Sequence, residues 1–422
     1  MLDLRLAFRR MLAQPAFTLV AVLSLACGLG ATTAFFAFCN ATLLRPLPIA
    51  RPHEVFSLVN PRFAAPVHSY PNYLDLKKSA PGVDVTAYRI APMNASFAPG
   101  RNQRIWGYLV AGDYFAQLGV PARLGRTLTP EDDRQRGGHP VVVLSYRAWL
   151  DHFAGDPAAI GRSFRINGLT YTVVGVTPPG FIGTERFYAA EVFIPFAQVA
   201  QVEPGARWMD NRDASNIFLL GRLKPGVTAA AAQQRLDAAA RDLARIDPKI
   251  NQDYVIRLVE AGWAGDFLRG GLIAFSSVLM AVAALLLLVV CVNLATLMLA
   301  KAAERRKETA VRLAIGAGRW DLIRQLLVES LLITAAGGLL GLLLAFWGVE
   351  LLTWFRPPVD FAIETHIGID ARVLAFTALV TLGTSVLLGL APAWTSTKVD
   401  LVIAMKEGAA SARDRRWPLR DL

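Results

Sequence analysis

The sequence predicts a membrane protein: four transmembrane α-helices, with a large α+β domain inserted between the first and the second. Three observations predict this. The 422-residue chain is 54% hydrophobic yet 18% charged, which is too apolar for an ordinary soluble protein and too charged for a chain lying wholly in a membrane. Four long runs contain no charged residue. Between the first two runs lie residues 46–266, a stretch long enough to bury a core of its own.

The four apolar runs are long enough to cross a bilayer, which takes about 20 mainly apolar residues in a helix. Each contains an uninterrupted stretch without Asp, Glu, Lys or Arg. Core helices of soluble proteins rarely run this far without a charge, so we interpret all four as spans. The predicted spans are residues 17–45, 270–300, 326–351 and 372–397.

The first run could instead be a cleaved signal peptide. Its apolar core far exceeds the roughly 7–15 residues typical of such peptides, and Arg45-Pro-Leu-Pro48 follows it rather than a small-residue cleavage site. We therefore interpret it as an uncleaved anchor. Residues 1–16 mix apolar side chains with arginines, which predicts a short amphipathic helix on the cytoplasmic membrane surface.

The distribution of basic residues predicts the orientation. Residues 1–16, 301–325 and 398–422 fall on one side of four spans and hold sixteen Lys and Arg against eight acids. The loop between the third and fourth spans, residues 352–371 and their border, has only Arg356 and Arg372. Cytoplasmic loops carry an excess of Lys and Arg, so both termini are predicted to be cytoplasmic. These segments supply most of the formal charge of +11, so a nucleic-acid partner is not needed to explain it.

The large domain reads as a mixture of strands and helices. Asn167-Gly168, flanked by alternating apolar residues, is a strong signal for a two-residue hairpin turn. Thr228 is placed to cap an alanine-rich helix that presents Leu236, Ala239, Leu243 and Ile246 on one face. Further strands are predicted at residues 141–144, 192–195, 217–223 and 254–259.

The domain shows little sign of catalytic or metal chemistry. Its histidines lack metal-ligand spacing, and the motifs of serine hydrolases and zinc proteases are absent from the sequence. Glu131-Asp132-Asp133 is a carboxylate cluster, which we interpret as a solvated loop. The three cysteines lie in the apolar runs, so no disulfide framework is predicted.

Residues 301–325, between the second and third spans, are the most informative loop. Glu308 and Arg312 are four apart and can pair on a helix. Gly316 and Gly318 break that helix, and a second helix from Trp320 leads into the third span. A short helix with mixed charge and a small apolar tip suits docking on a soluble partner. An ordinary basic cytoplasmic loop that binds anionic lipid explains the same residues, and the pattern alone leaves both interpretations open.

Two sets of motifs resemble known families. Residues 304–341 resemble the FtsX-like permease domain, and several short motifs in the large domain resemble the MacB-type periplasmic domain. The first set is Glu304-x-x-x-Glu308-x-Ala-Val-Arg312-x-Ala-x-Gly316-Ala317, Arg324-Gln-Leu-Leu-x-Glu329-Ser330 and Gly337-Gly-x-x-Gly341. The second is Tyr114-Phe-x-x-Leu-Gly-Val120, Leu124-Gly-Arg126, Leu144-Ser-Tyr-x-x-Trp149, Gly175-Val-x-Pro-x-Gly-Phe181 and Arg222-Leu-Lys-Pro-Gly226.

The chain is most similar to one half of the duplicated orphan permeases of Acidobacteria, of which Leu44-Arg-Pro-Leu-Pro48 is typical. It departs from them in stopping at Leu422, about where a second half would begin. The resemblance implies either a half-length or a truncated member.

The resemblance also implies the function: an ABC transporter permease in the bacterial inner membrane, for export or efflux. Such permeases act as dimers, formed by a second copy or a second half, and each copy engages a cytoplasmic ABC ATPase. ATP-driven closure moves the periplasmic domains, which push substrate that is already outside the inner membrane. The family's coupling residues correspond here to Lys307, Glu308, Arg312, Ile315, Gly316, Ala317, Arg319 and Trp320.

The sequence agrees with a non-catalytic subunit. It contains no G-x-x-x-x-G-K-[ST] loop, so ATP is expected on the partner only and no other cofactor is predicted. The spans carry almost no ionisable residue at mid-depth, where ion and substrate paths usually show one. Further expected partners are membrane lipid and a periplasmic adaptor or substrate.

Small residues spaced by four predict where the spans approach closely. Gly337 and Gly341 form one such pair, and Ser385 and Gly389 another. We also predict that the large domain consists of two subdomains. One is a βαβ-like base, and the other, which contains the Asn167-Gly168 hairpin, is inserted between the two halves of that base.

Two other functions compete with transport. One is a membrane scaffold whose ATP-driven motion regulates a periplasmic partner such as a cell-wall hydrolase. The other is a membrane-anchored enzyme, which the missing catalytic motifs make the weakest. Genomic neighbours would separate transport from regulation, because an adaptor gene favours efflux and a hydrolase gene favours regulation.

Overall fold

The structure is a computed structural model that describes residues 2–61, 67–98, 100–186, 188–262, 266–304, 318–354 and 368–396. The described residues form two compact units. One contains residues up to 44 and from 274 onward, and the other contains residues 45–273.

The chain begins with two helices, α1 (Leu2–Ala13) and α2 (Pro15–Cys39), followed by a π-helical turn at Asn40–Leu44. The predicted amphipathic segment is therefore a separate helix. The break falls at Gln14, whose φ of −133° and ψ of 67° are not helical. Pro15 explains this, because a proline disfavours the helical conformation in the residue before it while being well tolerated at the first position of the next helix.

Residues 45–273 contain the strands and the short helices. The strands are β1 (Val55–Val59), β2 (Val67–Ser69), β3 (Val83–Ala98), β4 (Arg101–Val110), β5 (Leu124–Gly125), β6 (Val141–Leu144), β7 (Ser163–Ile166), β8 (Leu169–Val176), β9 (Val192–Pro195), β10 (Ser215–Leu223) and β11 (Arg257–Glu260). The helices are α3 (Tyr70–Ser79), α4 (Tyr114–Leu118), α5 (Tyr146–Phe153), α6 (Val199–Val202), α7 (Ala229–Ile246) and α8 (Pro248–Asn251). Single 3₁₀ turns lie at Pro52–Glu54, Pro157–Ala159 and Phe196–Gln198.

All eleven described strands belong to one sheet. Its order is β11-β1-β10-β3-β4-β9-β6-β8-β5, with β2 beside β10 and with β7 between β3 and β8. Strands β5 to β9 come between β4 and β10 in the chain and lie together on one side of the sheet, so this middle segment is inserted as predicted. The division into two subdomains is nevertheless wrong, because the sheet is uninterrupted. Strand β3 spans the junction: its first half pairs with β10 and its last residues pair with β7.

Two cores cover the two faces of this sheet. Alternate residues of a strand point to opposite faces, and Val142 and Leu144 join one core while Val143 joins the other. The first core is closed by α3 and α7, through Leu76 and Leu236. The second is aromatic and is closed by α4. Both cores take residues from both ends of the sheet, as expected for one domain.

The local predictions for this domain are largely confirmed. The hairpin turns at Asn167 and Gly168, with φ of 49° and 86°, which is the left-handed pair that a type I′ turn requires. Thr228 Oγ1 accepts a hydrogen bond from Ala231 N at 3.2 Å and so caps α7. Two details are wrong: Ile246 is exposed rather than on the buried face, and the last strand begins at Arg257 rather than residue 254, because pairing with β1 starts there.

Three long helices complete the chain: α9 (Asp266–Glu304), α10 (Arg319–Trp354) and α11 (Ala371–Ser396). In the described part of the chain, four helices are long and apolar enough to cross a membrane. Their apolar stretches are Pro15–Leu44, Arg269–Lys301, Ile323–Glu350 and Ala371–Leu390. The predicted fold class, four spans with an α+β domain between the first and the second, is confirmed.

Candidate functional site

The predicted coupling segment lies mostly outside the described residues. Six of its members fall there: Lys307, Glu308, Arg312, Ile315, Gly316 and Ala317. The other two open α10, which begins at Arg319. Trp320, in the first turn, is 70% exposed. An exposed tryptophan at the end of a span is typical of the membrane interface or of a protein contact.

The side chain of Lys301, in the last turn of α9, borders the same segment. Its Nζ lies 3.0 Å from the ring centroid of Phe17, in the first turn of α2. A cation close to an aromatic face is attracted by the ring quadrupole. The contact therefore joins the end of the second span to the start of the first.

Gly337 and Gly341 pack against the first span. A Cβ built on Gly337 would lie 2.6 Å from Leu25 Cβ, and one on Gly341 would lie 3.0 Å from Ala26 O and from Gly30 N. A Cβ on Gly30 would in turn lie 2.9 Å from Gly341 O. The two helices thus approach backbone to backbone, which only glycine permits. Gly30 is the partner that sequence spacing missed.

Ser385 and Gly389 pack against the third span instead. Ser330 Oγ lies 3.0 Å from Ser385 O, to which it can donate, and 3.4 Å from Ser385 Oγ. A Cβ built on Gly389 would lie 2.8 Å from that same Ser330 Oγ. Helix α10 is therefore held on one side by glycine contacts with α2 and on another by a buried serine pair with α11.

Polar side chains tie α2 to α11 near the π-helical turn. Thr33 Oγ1 and Thr377 Oγ1 are 3.1 Å apart, Asn40 Nδ2 donates to Asp370 at 2.8 Å, and Arg372 Nη1 donates to Leu44 O at 2.9 Å. Asp370 also accepts from Val373 N at 3.0 Å, as a helix N-cap does. These bonds fix the end of the first span from which the chain enters the large domain.

The carboxylate cluster at residues 131–133 is only partly solvated, which corrects the prediction: Glu131 is exposed, but Asp132 and Asp133 are not. Asp132 is buried and accepts both guanidinium nitrogens of Arg126, at 2.6 and 2.9 Å. Burial alone would raise the pKa of Asp132, but this pair and the bonds from Thr129 hold it below its usual value. Asp133 accepts the N–H groups of Gly112 and Ala197, while burial raises its pKa to about 6. Asp132 and Asp133 are therefore structural.

Within the described residues, no group of three or more His, Cys, Asp or Glu could hold a metal ion. The buried His68 has other partners: Nε2 lies 2.7 Å from Leu58 O, and Nδ1 contacts the Tyr254 hydroxyl. Burial lowers the pKa of His68 to about 4, so the ring is neutral at physiological pH. Its role is to anchor Tyr254 beneath the sheet.

Comparison with known families agrees with both sets of motifs. The model of the MacB-like periplasmic core domain matches residues 18–239, about half of the chain. The model of the FtsX-like permease C-terminal domain matches residues 280–401. The two matches together cover nearly all of the first span, most of the large domain and most of the three following spans.

Curated relatives are named "Macrolide export ATP-binding/permease protein MacB". The protein of Salmonella typhi is 26% identical over 300 residues, covering 70% of this chain and 42% of its own length. That of Nitrosomonas europaea is 28% identical over 295 residues, covering 67% and 39%. The chain thus spans less than half the length of these relatives.

Two solved structures are similar to part of this chain. The periplasmic region of MacB from Actinobacillus actinomycetemcomitans has a TM-score of 0.39 at 16% identity, covering 50% of this chain and 90% of that one. The extracellular domain of the noncanonic ABC-type transporter YknZ from Gram-positive bacteria has a TM-score of 0.36 at 16% identity, covering 49% and 99%.

The order of the matched domains is the order of the structural elements. A MacB-like core domain starts at the first span, and an FtsX-like domain takes in the last three. The chain belongs to the MacB/FtsX-like family of ABC transporter permeases, as a multi-pass membrane protein with a periplasmic domain between its first and second spans.

Proposed function

We propose that this chain is the membrane subunit of an ABC transporter and that a separate cytoplasmic ATPase drives it. The observation that carries the proposal is the succession of both family domains along one chain, with four spans in the matching positions. The names of the curated relatives combine ATP binding with a permease. We assign ATP binding to the separate partner. We also place both termini of this chain in the cytoplasm.

The segment at residues 301–325 is the proposed docking site for that ATPase. It joins α9 to α10, and α10 is the helix with contacts on both sides: Gly341 meets α2, and Ser330 meets α11. A push on the start of α10 would therefore reach α2, whose far end leads into the periplasmic domain. Close contacts between the backbones suit this role because the two helices can then move together.

The periplasmic domain is the proposed moving part, and export or efflux the proposed outcome. Its strands are hydrogen-bonded in one continuous sheet, which supports movement of the domain as one body. The large apolar side chains of α9 are mostly exposed, among them Val278, Leu285 and Val289, so lipid or a second permease copy must cover them in the membrane. Two copies, or a second half, complete the transporter.

Stimulation of the ATPase tests the docking site. The permease is reconstituted in lipid with the ABC ATPase that co-purifies with it, and ATP hydrolysis is compared for wild type, Glu308→Lys and Gly316→Trp. Both variants are expected to lose most of the stimulation. Glu407→Lys is the matched control, because it adds the same positive charge to the cytoplasmic tail and should stimulate normally.

The alternative interpretation predicts another result. If the segment only binds anionic lipid, at about 1 kcal/mol per basic residue, Glu308→Lys would strengthen that attraction and leave hydrolysis unchanged. Full stimulation by both segment variants, while they remain correctly inserted, would show that this segment is not the coupling element.

A further inference from the structure

Residues 183–186, here called the latch segment, lie across three buried tyrosines of the periplasmic domain. The Tyr88 hydroxyl donates to the Glu185 carboxylate, and Glu185 N donates to Tyr108 Oη at 3.3 Å. Tyr114 Oη lies 3.1 Å from Thr184 Oγ1. Thr184 and Glu185 are both almost fully buried. The segment is therefore fastened to the aromatic core by side chains from β3, β4 and α4.

Arg186, the last residue of the latch segment, binds both chain connections between the domain and the spans. Arg186 Nη1 donates to the carbonyl oxygen of Arg45, the first residue after the first span, at 2.5 Å. Arg186 N donates to Gly262 O at 3.4 Å, shortly before the second span begins. Gly262 has a φ of 105°, and a Cβ there would lie 3.2 Å from Arg186 Nε. Only glycine allows this approach.

The incoming and outgoing connections also share the core to which the latch segment is fastened. Leu47 and Ala261 are buried in the same aromatic cluster as Tyr88, Tyr108 and Tyr114. The latch segment thus joins the sheet to both the incoming and the outgoing connection. This arrangement is needed if a movement of either connection is to reach the sheet.

We infer that Glu185 and Arg186 are positioning residues that latch the two membrane connections to the sheet of the periplasmic domain. Glu185 holds the latch segment in the tyrosine core, and Arg186 holds the connections to the latch segment. Opening the latch would let the spans move without moving the sheet. The inference rests on the proposed transmission of motion for its purpose, but the latch itself can be tested without any ATPase.

The charges around Glu185 give the latch a pH-dependent signature. Burial raises the pKa of Glu185 to about 7, and the Tyr88 hydrogen bond and the Arg186 charge oppose this only in part. The groups that face it are the hydroxyls of Tyr88, Tyr108 and Tyr114 and the guanidinium of Arg186, which in turn senses Glu260 and Arg269. Because the pKa is raised above its ordinary value of 4.5, burial of the charged form is unfavourable. The latch is therefore tightest at acidic pH and loosens as pH rises toward 7.

Hydrogen exchange of the full chain in lipid nanodiscs tests this. Protection factors, corrected for intrinsic exchange, are compared at pH 5 and pH 8. In wild type, amides of residues 181–190 are expected to lose about tenfold or more in protection at pH 8. In Glu185→Gln that pH dependence should vanish. Asp133→Asn is the matched control: it changes another buried carboxyl of the same domain and should leave the response of residues 181–190 intact.

Arg186→Ala tests the other half of the latch. It should raise exchange at residues 45–50 and 257–262 while leaving the hairpin at 163–176 protected, and Arg186→Gln should give the same local pattern if the alanine variant folds poorly. Flat protection between pH 5 and 8 in wild type, a pH response that survives in Glu185→Gln, or deprotection of the hairpin along with the connections would each overturn the inference. A latch that passes these tests while ATPase stimulation fails would leave the proposed function alone in error.

Discussion

Large aromatic side chains fill a core of the periplasmic domain, whereas small residues make close helix contacts among the membrane spans. In the domain, large side chains are inside: Phe193 is fully buried and contacts the equally buried Tyr108 and Phe115 edge to face. Among the spans, Gly30 and Gly341 let two helices approach backbone to backbone, while Leu339 and Leu379 are about 70% exposed. Close packing therefore depends on large side chains in the first region and on small ones in the second.

The solvent explains the difference. In water, burying apolar area is worth about 25 cal/mol per Å², so large side chains stabilise a fold by leaving the surface. In lipid a leucine gains nothing by moving inward, and helices associate through close packing and hydrogen bonds between small residues. Truncating a large residue should consequently damage the domain, whereas enlarging a small residue should damage the helices.

The largest effect is expected from Phe193→Ala. Four aromatic rings surround this side chain, those of Tyr108, Phe115, Tyr114 and Phe181, so truncation leaves a cavity. We expect a loss of about 3–5 kcal/mol in the free energy of unfolding of the domain. Pulse proteolysis of the full chain in urea measures it. Leu150→Ala, on an exposed position of α5, is the control and should change little.

Gly341→Leu should come next and act on the other region. The new side chain would meet the backbone of α2 at Ala26 and Gly30, and overpacking of this kind costs about 1–3 kcal/mol. The loss of stability is measured as loss of helix on titration with SDS. Assembly is measured as oligomer size in detergent. Gly348→Leu serves as the control on the same helix, since no described atom lies within 4 Å of the added Cβ. Unchanged stability and size for Gly341→Leu would refute the packing role.

Ser330→Ala should cost less, about 0.6–1.7 kcal/mol, the range of interhelical hydrogen bonds in membranes. The change removes the hydroxyl that bridges α10 to α11. The matched control is Thr296→Ala, whose hydroxyl bonds only to its own helix at Asn293 O in the described structure. Equal losses for both variants in the same SDS titration would contradict a bridging role.

The smallest effect is expected from Leu339→Ala. This leucine is 72% exposed on α10, and substitutions at such sites usually stay within about 0.5 kcal/mol. A larger loss, or a smaller oligomer in detergent, would show that a second copy rather than lipid covers this face.

What the sequence predicted well was local. The hairpin at Asn167-Gly168 depends on two residues with left-handed φ, and the cap at Thr228 depends on a hydroxyl three residues from its donor. The spans depend on length and the absence of charge. Each of these signals is complete within a short window, so nothing distant in the chain could override it.

What it predicted poorly depends on contacts distant in sequence. The two-subdomain division failed because β3 changes partner from β10 to β7 along one strand. Asp132 was taken for a solvated residue because its pairing with Arg126 requires the loop to fold back. Gly30 and Glu185 gave no signal at all, since their partners, Gly341 and Tyr88, lie far away in the chain. The coupling residues from Lys307 to Ala317 remain a prediction.

The measurement that tests the central claim most directly is the movement of the periplasmic domain when ATP is hydrolysed. Spin labels on a single cysteine at the exposed Thr170, in a chain whose Cys27, Cys39 and Cys291 are replaced by serine, report the distance between two copies reconstituted with the ATPase. Trapping with ATP and vanadate should shift that distance distribution, and Glu308→Lys should abolish the shift. An unchanged distribution in the otherwise wild-type chain, with ATP hydrolysis proceeding normally, would contradict the account.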